Sequence, residues 1–175
     1  KMAIDWDTYQ PVTPTYTGTK LYKNVDLNVL RDFIDWKPFF ITWEMHGNFP
    51  AILTDEVVGK EASKLYADAN ALLDTIINEK WLTADGTIGF WPASSDEDDV
   101  TVVADKPVKL SFLRQQIKKA PGQPNFSLAD FIAPSSSNTK DFIGAFAVTI
   151  KGIEKHIQAF EAQHDDYNKI MLQAL

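Results

Sequence analysis

The sequence predicts an α+β fold with a largely antiparallel sheet, and three observations carry that prediction. Apolar residues recur at helical spacing from Val57 to Ile77. Short apolar runs bounded by turn residues follow, between Thr87 and Leu113 and again at 142–150. The two kinds of segment are not arranged in the regular alternation that builds a parallel sheet. With 175 residues, 45% hydrophobic and 23% charged, the chain is long enough to bury the core of one domain.

Residues 1–25 are rich in Thr, Tyr, Pro and Lys and follow neither period, so they read as an extended arm ahead of a domain spanning 26–175. Asp26 is placed to cap a helix with Leu27, Leu30, Phe33 and Ile34 on one face, and Pro38 should end that run. Phe39 to Trp43 alternates weakly, as a buried strand would. Thr54-Asp55-Glu56 supplies acidic residues for a helix start, with a helix expected over about 56–80. At 1.5 Å per residue it would span about 37 Å, and Gly59 is a tolerated weakness near its start.

Asp85-Gly86 marks a turn. Residues 87–91 and 100–103 read as strands joined by the polar loop 94–99, and 108–113 as a third apolar run. A loop is expected over 118–126, where Pro121-Gly122 and Pro124 fall. Phe142 to Ile150 reads as a buried strand, with Gly144 allowing close backbone approach. A last helix carries Ile153, Ile157, Phe160, His164, Tyr167 and Met171 on one stripe. It runs to Leu175 without a Gly, Pro or basic cap, and the chain opens on Lys1 rather than Met, so both ends read as cuts in a longer polypeptide.

The formal net charge of −7, with no basic cluster longer than Lys118-Lys119, argues against nucleic acid as a partner. No cysteine is present, which excludes disulfides and thiolate metal sites, and no run reaches the roughly 20 apolar residues of a membrane span. A cytoplasmic location is the default expectation. The three histidines form no metal-ligand spacing, and neither a nucleophile elbow nor a phosphate loop is found. Asp96–Asp99 reads as a solvated turn, and Asp130, set among apolar neighbours, as a satisfied core carboxylate with Arg114 its candidate partner.

The densest chemistry lies in Asp32-Phe33-Ile34-Asp35-Trp36-Lys37-Pro38-Phe39-Phe40-Ile41-Thr42-Trp43. An aromatic wall with a carboxylate beside it suits a flat, cationic ligand, since rings offer stacking area and a negative face. The same composition suits a core segment in which Asp35 is only a cap or turn residue.

Phe33 through Trp43 is followed by Phe49-Pro50-Ala51-Ile52-Leu53, Asp55 through Ala62, and Leu113-Arg114-Gln115-Gln116. Leu128 through Pro134, Asp141 through Thr149 and Phe160 through Tyr167 complete the series. In this order the blocks resemble the activation domain of cobalamin-dependent methionine synthase. The resemblance implies a C-shaped α+β domain around a twisted antiparallel sheet with flanking helices, binding S-adenosylmethionine along its inner surface. It implies support for reductive methylation of oxidised cob(II)alamin, the cobalamin being carried by a neighbouring cobalamin-binding domain of the same polypeptide. The electron would come from flavodoxin or an equivalent reductase. One S-adenosylmethionine contact carries over, the aspartate directly before the tryptophan of the block, Asp35. No catalytic or metal-ligating residue is assigned. The family's other contacts, a glutamate, an Arg-x-x-x-Gly-Tyr block and a later tyrosine, fall beyond Leu175. This piece is therefore expected to be inactive alone and to bind the ligand weakly or not at all. Thr149-Ile150-Lys151-Gly152 stands where relatives have a Gly-rich turn, so that junction is expected to differ. The alternative is a non-catalytic docking module for the cobalamin domain or an electron-donor protein.

Overall fold

The computed structural model describes residues 4–175. They form two compact units, one made of the residues up to Leu21 with Thr87–Ala147, the other of Tyr22–Gly86 with Val148–Leu175. The architecture is α+β, as predicted. Strands β1 (Gly18–Val25), β2 (Thr83–Asp96), β3 (Asp99–Val102) and β4 (Val108–Ser111) lie in that order in one sheet, and β5 (Asp141–Lys151) also pairs with β2. β2–β3 and β3–β4 are antiparallel. Strand β1 comes from the segment read as an arm.

In the first unit, Ala93, Val100, Val102 and Ala129 form a small core, with Trp91, Phe112, Ile132 and Ile143 packed against it. The polar loop expected over 94–99 is a two-residue turn instead. Asp96 pairs with Asp99, and Glu97 takes φ 54°, the positive value that tight hairpins require. Ser94 and Ser95 continue the ladder, and Ser95 is buried because its hydroxyl donates to the Ile132 carbonyl at 2.8 Å. A polar residue that finds its partner inside can extend a strand that composition alone would end.

Arg114 and Asp130 do pair. The guanidinium meets both carboxylate oxygens at 2.6 and 2.7 Å, and also donates to the Asn125 carbonyl at 2.7 Å. Asp130 has no side-chain exposure, whereas the second acidic partner, Asp98, is half-exposed. Asp130, then Asp98, hold the guanidinium pKa above its ordinary value. Asp130 also accepts from the Ser127 amide in a reciprocal cap, so the buried charge is fully hydrogen-bonded.

In the second unit, helices α1 (Leu27–Arg31), α2 (Trp36–Thr42), α3 (Gly59–Asn78), α4 (Ile153–Ala162) and α5 (Asp166–Ala174) surround one core. Helix α3 buries Ala62, Leu65, Ala69, Leu73 and Ile76, the 3.6-residue stripe read from the sequence. It starts three residues later than expected. The Asp55 carboxylate accepts the Val57 and Val58 amides at 2.9 and 3.0 Å and so fixes a separate turn, leaving Val57 exposed. Gly59 is a packing requirement rather than a weakness, since a Cβ there would stand 3.0 Å from the Leu53 carbonyl oxygen.

The expected last helix is broken in two. His164 adopts φ 56°, and Asp165 restarts the helix by accepting the Asn168 amide at 3.1 Å. His164 is exposed at the break and lies on no buried stripe. The second helix is held by the Tyr167 hydroxyl, which donates to Asp68 on α3 at 2.7 Å. At the β5–α4 junction Gly152 supplies φ 98°, and a Cβ there would meet the Trp81 carbonyl oxygen at 2.5 Å.

Strand β5 forms as predicted but is not buried. Phe146, Val148 and Ile150 are 76%, 73% and 51% exposed, because no described element packs over them. Gly144 makes room for a ring rather than for backbone, a Cβ there falling 2.9 Å from the Phe90 ring.

His156 of α4 stacks on Trp81 with ring centroids 3.9 Å apart, and its Nε2 is buried without a partner among the described residues. Burial, then Lys155, lowers its pKa, with Glu79 opposing. A folded-state pKa below the unfolded one means that the neutral ring contributes stability above about pH 6.5, lost as pH falls through the folded value. Unfolding measured from pH 7.5 to 5 should therefore show a falling stability whose slope shrinks in His156→Phe. In urea denaturation at pH 7, Asp130→Asn should cost about 3–5 kcal/mol by leaving a buried cation half-paired, and Asp98→Asn should cost far less.

Candidate functional site

The acidic–aromatic block folds as the start of a helix, not as the end of one followed by a strand. Asp26 caps α1 as expected, its carboxylate accepting the Asn28 amide at 2.9 Å, but α1 is only five residues long and Phe33 is 79% exposed. Asp35 then takes extended backbone angles and accepts the Lys37 amide at 3.1 Å, which makes it the N-cap of α2. Pro38 falls third in this helix, within the first turn, where a missing amide hydrogen breaks no intrahelical bond.

The preference of a pre-proline residue for extended backbone is overridden by burial. Trp36, Phe39 and Phe40 are 7%, 2% and 1% exposed, and a helix puts all three on one side. Their rings meet edge to face, Trp36 with Phe39 at 5.3 Å and Phe39 with Phe40 at 5.5 Å. Trp36 also meets Tyr66 of α3 at 4.7 Å. Phe39 to Trp43 is thus helical rather than the buried strand expected from its alternation.

Asp35 itself is exposed, and it lines a cavity of about 450 Å³ with Arg31, Lys37, Asn48, Phe49 and Tyr66. Arg31 is held there by Asp74 at 2.5 Å and by the Asn70 amide oxygen at 2.8 Å. Lys37 donates to the Asn48 side chain at 3.2 Å. Rings and both signs of charge converge on one small volume, the pattern of a site for a flat ligand with charged groups. A larger cavity of about 1120 Å³ in the first unit, beside Trp91, Val102, Leu110 and Ile143, is mostly apolar and gathers fewer charges.

Asp35 is therefore both a cap and a cavity residue. Sequence reasoning missed Arg31, four residues before Asp35, and Asn48, Tyr66 and Asn70, which no local spacing connects to it. The one available signal was weak: Tyr66 and Asn70 are four residues apart on α3 and share a face. Removing the cap should be separable from removing the charge. Asp35→Ala should lower stability by about 1 kcal/mol in urea denaturation, and Asp35→Asn, an equally good cap, should stay within a few tenths.

Among the described residues no helix is long and apolar enough to cross a membrane. Residues 26–175 match the family model described as vitamin B12 dependent methionine synthase, activation domain. A crystal structure of the MetH reactivation domain bound to AdoHcy superimposes with a TM-score of 0.85 at 45% sequence identity. The match takes in 99% of this chain but 55% of that one, so the chain spans just over half the length of its relative.

Proposed function

Because this chain belongs to the activation-domain family of vitamin B12-dependent methionine synthase, we propose that it forms part of an S-adenosylmethionine-binding surface that serves reactivation of that enzyme. The observation that carries this is the AdoHcy-bound relative at 45% identity, because AdoHcy is what S-adenosylmethionine becomes once its methyl is lost. In this reading residues 26–175 are part of the activation domain, and the segment ahead of them contributes strand β1 to its sheet.

Asp35 is the contact residue. The ligand carries a sulfonium and an ammonium, and a carboxylate already fixed by its capping bond offers either cation a counter-charge without reordering. Phe49 and Tyr66, whose rings stand 5.3 Å apart, give the cavity its apolar lining. These groups bind and orient. Cobalamin, carried by a neighbouring domain of the same polypeptide, would supply the metal centre for methyl transfer, with flavodoxin or an equivalent reductase as the electron donor, while Asp35, Phe49 and Tyr66 would hold the sulfonium ligand in place. The chain's contribution to such a transfer is positioning, since no side chain need make or break a bond. The setting is cytoplasmic.

Calorimetric titration of S-adenosylmethionine into a polypeptide extended to the length of the AdoHcy-bound relative tests this. Binding should be measurable and should fall about tenfold or more in Asp35→Asn, with the thermal midpoint unchanged. No heat from the extended protein would refute ligand binding altogether. Equal affinity in Asp35→Asn would remove Asp35 from the site.

A further inference from the structure

Strand β5 leaves large apolar residues in water over most of its length. Every residue from Gly144 to Lys151 is exposed. Successive side chains of a strand point to opposite faces, so Phe142, Gly144, Phe146, Val148 and Ile150 share one face with no charge among them. Three large apolar side chains in a row exceed the single exposed residues that a surface normally scatters. Among the described strands β5 pairs only with β2, so its second edge presents unpaired N–H and C=O groups. The usual guards of an exposed edge are absent there, since neither a proline nor a charge falls between Asp141 and Lys151.

The strand is also complementary to itself. Set antiparallel to a second copy with Phe146 opposite Phe146, it pairs Asp141 with Lys151 at both ends. Phe142 then meets Ile150, Ile143 meets Thr149, Gly144 meets Val148 and Ala145 meets Ala147. A shift of two residues in either direction breaks both charge pairs and sets Asp141 or Lys151 against an uncharged residue. Both charged ends keep capacity for a partner. Lys151, though bonded to Asp85, has donors to spare, and each Asp141 oxygen holds one backbone amide and has a second lone pair. We propose that β5 is a self-association surface, on which a second copy of this chain adds its own β5 antiparallel about Phe146. The contact is isologous, as two-fold dimers require. One strand from each copy buries little beside the roughly 1,200 Å² at which specific, stable interfaces begin, so the dimer is weak and concentration-dependent. It is independent of ligand binding at Asp35.

Sedimentation equilibrium of the chain should show a mass rising from 19.7 kDa toward twice that value as concentration rises from about 10 to about 500 μM. Phe146→Lys sets two like charges directly opposite each other and should hold the mass at one chain. Its thermal midpoint should stay that of the parent, since Phe146 is 76% exposed. The chain has no cysteine, so single cysteines report the register. Phe146→Cys should crosslink to itself in oxidised glutathione, its Cα atoms standing about 4.5–5.5 Å apart. Val148→Cys would lie about 13 Å from its counterpart and should not crosslink. A mass that stays at one chain throughout, or equal crosslinking at 146 and 148, overturns the proposal. So does protection of the β5 amides from hydrogen exchange that appears only in a polypeptide extended to the length of the AdoHcy-bound relative, which would give the strand to that added segment.

Discussion

Burial of one aromatic helical face governs the second unit of the fold. Trp36, Phe39 and Phe40 reach the core together only if the backbone from Trp36 onward is helical, and they pack there with Leu65, Ala69 and Leu73 of α3. Each such side chain contributes about 1.5–3 kcal/mol on burial, well above the local preference that Pro38 imposes on its neighbour. The helix start is thereby set at Trp36, and with it the cap at Asp35. The position of the candidate site is a by-product of core packing. A carboxylate that must hold the Lys37 amide is also a carboxylate that does not wander.

The opposite device operates in the other unit, where a charge is buried rather than displayed. Asp130 gives up solvent entirely, and the desolvation is offset by two bonds to Arg114 and one from the Ser127 amide. Asp35 and Asp130 are both helix-start residues beside aromatic neighbours. What distinguishes them is whether a cation of the same chain reaches the carboxylate. Where one does, the group holds the fold together; where, among the described residues, none does, the carboxylate stays exposed beside a cavity.

Much of this was legible in the residues. The periodic stripe of α3, the cap at Asp26 and the Arg114–Asp130 partnership follow from spacing or from the cost of burying charge. The α+β class followed from how strands and helices are distributed. What was not legible depended on local capping choices and on contacts distant in sequence. The break at His164 turns on Asp165 preferring to cap, and the short hairpin on Ser95 finding the Ile132 carbonyl. Phe39 to Trp43 has an alternation that a strand would share, and only α3 decides the matter. At the site, Asp35 was visible through its family block, whereas Arg31, Asn48, Tyr66 and Asn70 gather around it only once the chain has folded.

Strand β5 bears on how the molecule behaves in bulk. Its apolar side chains stand in water and, among the described strands, it pairs only with β2, so it offers both a greasy face and unsatisfied backbone to another molecule. The net charge of −7 keeps copies apart at a distance, but that repulsion decays over a Debye length, about 8 Å at physiological salt. Ionic strength therefore bears on how closely two copies can approach through this strand.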